Sequence, residues 1–161
     1  MATTQFVGYD VTPRPAEMTD KIRIKTNASE GWTAILQLIR DVLPGDILHI
    51  CAGAQATNNL HKAPWNTDKH NVGLGSCLAY IHPVTFAFMP ITYWRGANID
   101  AIIHHGARDD SAIWKVPDGV SGPVAIRFYM KSAALQAKSS WYLRVDQGYG
   151  LMSIKHERPV A

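Results

Sequence analysis

The sequence predicts an all-β protein, a single antiparallel β-sandwich carrying one amphipathic helix near residues 31–43. Three observations lead there. Short runs of alternating apolar and polar residues, rich in Val, Ile, Thr and aromatics, recur along the chain. Turn signals such as Pro44-Gly45, Pro117-Asp118-Gly119 and Asp146-Gln147-Gly148 separate them at roughly ten-residue spacing. Only one segment shows a helical period.

The length of 161 residues suits one domain with a core that needs no staples. Charged residues make up 18% and apolar residues 47% of the chain, with a net charge of +3 and no Lys/Arg cluster. That balance permits contact with nucleic acid without requiring it. A small domain this poor in charge is expected to bury further surface against partner chains. The N-terminus, Met1-Ala2-Thr3-Thr4-Gln5, is polar and unlike a secretory signal, so Cys51 and Cys77 read as reduced, buried thiols of a cytosolically made protein. No apolar run approaches the roughly 18 residues of a membrane span.

Residues 1–20, with Pro13, Pro15 and few large apolar side chains, read as an extended N-terminal arm that gains order by lying on a neighbour. The sandwich domain is expected over residues 21–157, and residues 158–161 leave as a tail. Lys21–Lys25 alternates as a strand. Trp32, Ile35, Leu36, Ile39 and Leu43 fall at helical spacing, Asn27 or Ser29 can cap the start, and Pro44-Gly45 stops the run. Asp46–Ala52 is the next strand. Gln55–Ser76 is polar and loop-like, a length that in a small domain points to recognition or assembly. Cys77–His82 is a second apolar segment, and strands follow at Ile99–Ile103, Ser111–Val116, Val124–Met130, Trp141–Val145 and Tyr149–His156.

Between Pro83 and Ile99 lies an apolar patch (Phe86, Phe88, Met89, Ile91) broken by Pro83 and Pro90, then Tyr93-Trp94-Arg95-Gly96. On physical grounds Trp94 and Arg95 form a buried indole with a guanidinium along its face. An apolar turn, then aromatic-Trp-Arg-Gly, then a strand resembles the segment entering the central strands of picorna-like virus coat proteins, the jelly-roll subunits of small positive-strand RNA viruses of insects and plants. Trp141-Tyr142-Leu143-Arg144-Val145, a short turn and a closing strand is similar to the final two strands of plant comovirus-like coat proteins. The stretch between Ile103 and Trp141 is short for that family, and Ala97-Asn98-Ile99-Asp100 replaces its usual residues after Arg-Gly.

The resemblance implies a jelly-roll-like structural subunit of an icosahedral capsid, located in the virion and made in the host cytoplasm. Its structural motif residues are Tyr93, Trp94, Arg95, Gly96, Trp141 and Tyr142. The implied partners are other copies of the chain or sibling coat proteins, with weak non-specific contact to genomic RNA through the arm, by Arg14 and Lys21 alone, and no membrane. No cofactor is implied.

Two other classes compete. A lectin-like β-sandwich would stack Trp65 or Trp114, held on a loop, against a sugar ring. A cysteine hydrolase would use Cys77 as nucleophile, His104 or His105 as base and Asp109 or Asp110 as orienter. The apolar neighbours Leu78, Ala79 and Tyr80 argue that Cys77 is buried, and Gly75-Ser76-Cys77 lacks the glycine that completes a nucleophile elbow. The seven histidines are scattered, and adjacent His104 and His105 point to opposite faces of a strand, so neither metal binding nor histidine catalysis is expected.

Overall fold

Period-two alternation builds two antiparallel sheets that meet face to face. The computed structural model describes residues 3–12, 23–24, 33–58, 71–93, 95–100, 105–132, 141–143 and 150–160. The strands are β1 (Thr4–Val11), β2 (Arg23–Ile24), β3 (Thr33–Val42), β4 (Ile47–Asn58), β5 (Asn71–Ile81), β6 (Phe88–Pro90), β7 (Arg95–Asp100), β8 (His105–Lys115), β9 (Gly122–Ser132), β10 (Trp141–Leu143) and β11 (Gly150–Pro159). One sheet runs β1-β11-β4-β10-β2, with β8 on the other side of β4. The second runs β3-β9-β5-β6, with β7 also paired to β5.

The core lies between the sheets. From the first come Leu48, Ile50, Ala52, Trp114, Met152 and Ile154; from the second come Leu36, Leu78, Tyr80, Ile126, Phe128 and Met130. Their alternates along β4 and β11, such as Cys51, Leu151 and Lys155, face outward. Tyr80 and Trp114 pack across the sandwich with ring centroids 4.6 Å apart. A smaller cluster of Cys77, Ala79 and Tyr129 lies on the opposite face of the second sheet, where Phe88 meets Tyr129 edge-on.

Several expectations change, beginning with the loop of Gln55–Ser76, whose described ends Gln55–Asn58 and Asn71–Ser76 belong to β4 and β5. The helix near residues 31–43 is strand β3 over Thr33–Val42, paired with β9, while residues 31 and 32 lie outside the described part. A β-bulge between Ala34 and Leu36 explains the misleading spacing. It buries both Ile35 and Leu36 in succession, which imitates a helical face. Ile39 and Leu43, which a helix would bury on that face, are exposed.

The N-terminal stretch is, over Thr4–Val11, an edge strand of the domain's own sheet, paired with β11 from Thr4↔Pro159 to Val11↔Ser153. Its ladder groups therefore find partners within the chain. The tail is also partly structural, since β11 continues through Arg158 to Pro159.

Candidate functional site

The densest polar site among the described residues begins at a tight turn. Leu43-Pro44-Gly45-Asp46 closes with Asp46 N–H donating to the Leu43 carbonyl at 3.1 Å, and Gly45 has φ 88°. Proline followed by a residue of positive φ is the chemistry of a type II turn, so the third position here strongly favours glycine. The turn points the Asp46 carboxylate inward, where Oδ2 accepts the Leu43 N–H at 2.9 Å.

Two β11 side chains complete the site. Arg158 binds the carboxylate through both arms of its fork, Nε to Oδ1 at 2.8 Å and Nη2 to Oδ2 at 2.9 Å. His156 Nε2 donates to Oδ2 at 2.6 Å. The other ring nitrogen, Nδ1, accepts from Arg40 Nη2 at 3.0 Å. A guanidinium has no acceptor, so this partner assigns the ring proton to Nε2. Arg40 comes from β3 in the other sheet and also reaches Asp10 of β1 at 3.5 Å. Asp46 and His156 are fully buried. Burial pushes the Asp46 carboxyl up, but hydrogen bonds from Arg158, the Leu43 N–H and His156 outweigh it and hold the pKa at about 2.

An Asp–His pair invites comparison with a hydrolytic triad. In a triad the second imidazole nitrogen faces a nucleophile in a cleft. Here that nitrogen faces a guanidinium inside the protein. The constellation thus serves as a brace: it ties β3 of one sheet to β1 and β11 of the other, and anchors the turn that starts β4.

The second site is a surface. The hairpin between β5 and β6 carries Val84, Phe86, Phe88 and Met89 into solvent, with Phe86 77% exposed. Phe86 adopts φ 60°, a left-handed conformation that a bulky residue avoids unless its surroundings impose it. The fastening is local. His82 Nδ1 accepts the N–H groups of Val84 and Thr85 at 3.1 and 3.3 Å, the His82 carbonyl accepts Phe86 N–H at 2.9 Å, and Thr85 Oγ1 accepts Ala87 N–H at 3.3 Å.

The structure distributes the sequence-predicted residues as follows. Tyr93 is 87% exposed, next to this hairpin. Arg95 and Gly96 open β7, opposite Ser76 and Gly75, so the strand begins earlier than Ile99. Trp94, and hence its expected stacking with Arg95, lies outside the described residues. Trp141 and Tyr142 lie in β10 between β4 and β2, opposite Asn58 and Thr57 on one side and Ile24 and Arg23 on the other. Trp114, a candidate for stacking on a sugar, is instead a core residue against Tyr80. Trp65 lies outside the described residues.

Cys77 is buried as expected, but Cys51 is exposed. Burial first, and then the charge of Asp110, raise the Cys77 thiol to about 11, the reverse of what a nucleophile needs. Asp110 accepts a 2.7 Å hydrogen bond from Ser76 Oγ across the sandwich. Among the described residues no group of three or more His, Cys, Asp or Glu is placed to hold a metal ion. No described helix is long and apolar enough to cross a membrane.

Comparison with known proteins gives no match to any protein family and none to a curated protein. Solved structures similar to this chain include two of infectious bursal disease virus. The Gx strain structure shares 10% identity at a TM-score of 0.47, covering 97% of this chain and 38% of that one. The T13 viral particle shares 11% identity at a TM-score of 0.40, covering 95% of this chain and 36% of the other. A CBM4 structure shares 10% identity at a TM-score of 0.32, covering 77% and 59%. The chain thus spans less than two thirds of the length of each.

Proposed function

We propose that this chain is a structural subunit of a viral capsid that assembles with copies of itself. The observation that carries the reading is the amount of apolar surface left uncovered by a well-packed sandwich. Phe6, Tyr9, Val11, Ile113 and Leu151 stand on the outer face of the first sheet, and Val84 and Phe86 at the hairpin tip. Single exposed apolar residues need no explanation, whereas grouped ones mark surfaces built to be covered. The low charge of the chain supports the same reading. The Tyr93–Gly96 and Trp141–Val145 segments, with their resemblance to picorna-like coat proteins, suggest the kind of virus. Any contact with RNA is then electrostatic and non-specific.

Size-exclusion chromatography with light scattering, followed by negative-stain microscopy at rising protein concentration, tests this. Rings or shells are expected. A chain that stays monomeric at high concentration overturns the reading.

A further inference from the structure

We propose that the β5–β6 hairpin tip is the knob of a head-to-tail contact between copies of this chain, seated on the outer face of a neighbour's β1-β11-β4-β8 sheet. The inference rests on the capsid reading and adds the two surfaces that meet.

The tip is built for one kind of partner. From Leu78 to Tyr93 the sequence carries no Asp, Glu, Lys or Arg. At the apex the N–H groups of residues 84 to 87 are consumed by His82 and Thr85. The carbonyls of Pro83, Val84 and Thr85 accept no hydrogen bond among the described residues. The apex therefore offers apolar side chains and backbone acceptors, and its spare donors are the Thr85 hydroxyl and the His82 Nε2–H. A hydrocarbon layer fits this poorly, because carbonyls taken into lipid need donors that lipid lacks. A protein surface of apolar residues interleaved with donors fits it well.

The same chain carries such a surface. Across the outer face of the first sheet, register aligns Tyr9, Lys155, His49 and Ile113 in one row. Val11, Ser153, Cys51 and Ser111 form the next. Tyr9, Val11 and Ile113 are exposed, Ile113 at 74%. Lys155 uses Glu157 as a partner at 3.1 Å, but an ammonium has three protons to give. Apolar contact from the rings and methyls, with lysine and hydroxyl donors between them, complements the apex. Knob and face sit on different parts of one chain, so each copy can use both. A contact of that kind propagates and closes into rings or shells when the rotation permits. The left-handed Phe86 has a purpose in this arrangement: it holds the ring outward before binding, so little freedom is lost on docking.

Cys51 makes the test direct, because it is exposed in the middle of the proposed seat while Cys77 is buried. The full chain carrying Val84→Cys is oxidised under assembly conditions and digested for mass spectrometry. A disulfide between the substituted position 84 of one copy and Cys51 of another is expected, and it should vanish when Ile113→Lys is added. Separately, Phe86→Ser should weaken self-association about tenfold or more, as for loss of an interface anchor, with an unchanged melting temperature because the ring is exposed. Assembly without the cross-link, and unaffected by Phe86→Ser, overturns the docking while leaving the capsid reading intact. A chain that never assembles overturns both. Binding of the monomer to phosphatidylcholine vesicles, lost with Phe86→Ser, would make the tip a membrane anchor and also overturn the self-docking.

Discussion

A β-carbon on Gly8 would lie 2.6 Å from Nη2 of Arg40. Gly8 sits opposite His156 in the β1–β11 ladder, next to an irregularity at Phe6/Gly8, and Arg40 passes over it to reach the His156 ring. Glycine here is an opening through which one sheet grips the other.

Gly8→Ala should therefore push the guanidinium off His156 and cost about 1–2 kcal/mol. In an Arg40→Met background the same change should cost less than about 0.5 kcal/mol, because nothing is left to displace. Chemical denaturation of the four proteins measures the coupling. Equal costs in both backgrounds would show that the glycine serves another purpose.

Asp46 sets an acid limit on stability. Its folded pKa, about 2, lies below the ordinary value of 3.8, so its contribution is full above that ordinary value and is lost as pH falls through about 2. Melting followed by circular dichroism between pH 5 and pH 2 should show the wild type falling steeply. Asp46→Asn should start lower, by about 3–5 kcal/mol for a broken buried pair, and fall less over the same range. Parallel curves would remove Asp46 from the acid response.

Deleting residues 2–11 should destabilise the isolated domain. The truncation uncovers the β11 edge and removes Asp10 from Arg40. A melting temperature lower by roughly 5 °C or more is expected for a loss of this kind. An unchanged value would mean that the strand adds nothing to the fold and is there to be exchanged.

The two thiols should behave differently. Cys51 is exposed and Cys77 is buried with its pKa raised to about 11. One thiol should react promptly with a chromogenic disulfide at neutral pH in the native protein, and the second only on unfolding. Prompt reaction of both would place Cys77 in contact with solvent.

Much of this architecture is legible in the sequence, because a buried sheet face leaves a period of two. Ile47 to Ala52 and Val124 to Met130 show it, and both are strands. The same rule, applied to β11, puts His156 on the inward face with Met152 and Ile154. The buried brace could have been suspected from that alone. What the sequence conceals is the company His156 keeps. Asp46, Arg40 and Gly8 are distant along the chain, and only strand order brings them together. The bulge in β3 is hidden for a related reason. One extra residue shifts the alternation and leaves Ile35, Leu36 and Ile39 at a spacing that a helix would also produce. The hairpin tip was visible as an apolar patch, but its outward projection depends on the His82 fastening, which no pattern of apolar residues reveals.

The pairing of β1 with β11 also fixes a waiting time. Thr12 and Met152, which exchange hydrogen bonds of 2.9 and 3.0 Å where that ladder ends, lie 140 residues apart. A ribosome adding about 5–20 residues per second takes roughly 7–28 s to cover that distance. For that interval Phe6, Tyr9 and Val11 belong to an unpaired strand, beside other nascent chains in the same condition. Slowing translation lengthens the exposure, and crowding ribosomes on one message raises the chance that a β1 finds the β11 of another chain. The yield of correctly closed subunits should therefore depend on the rate and density of synthesis as well as on the stability of the finished fold.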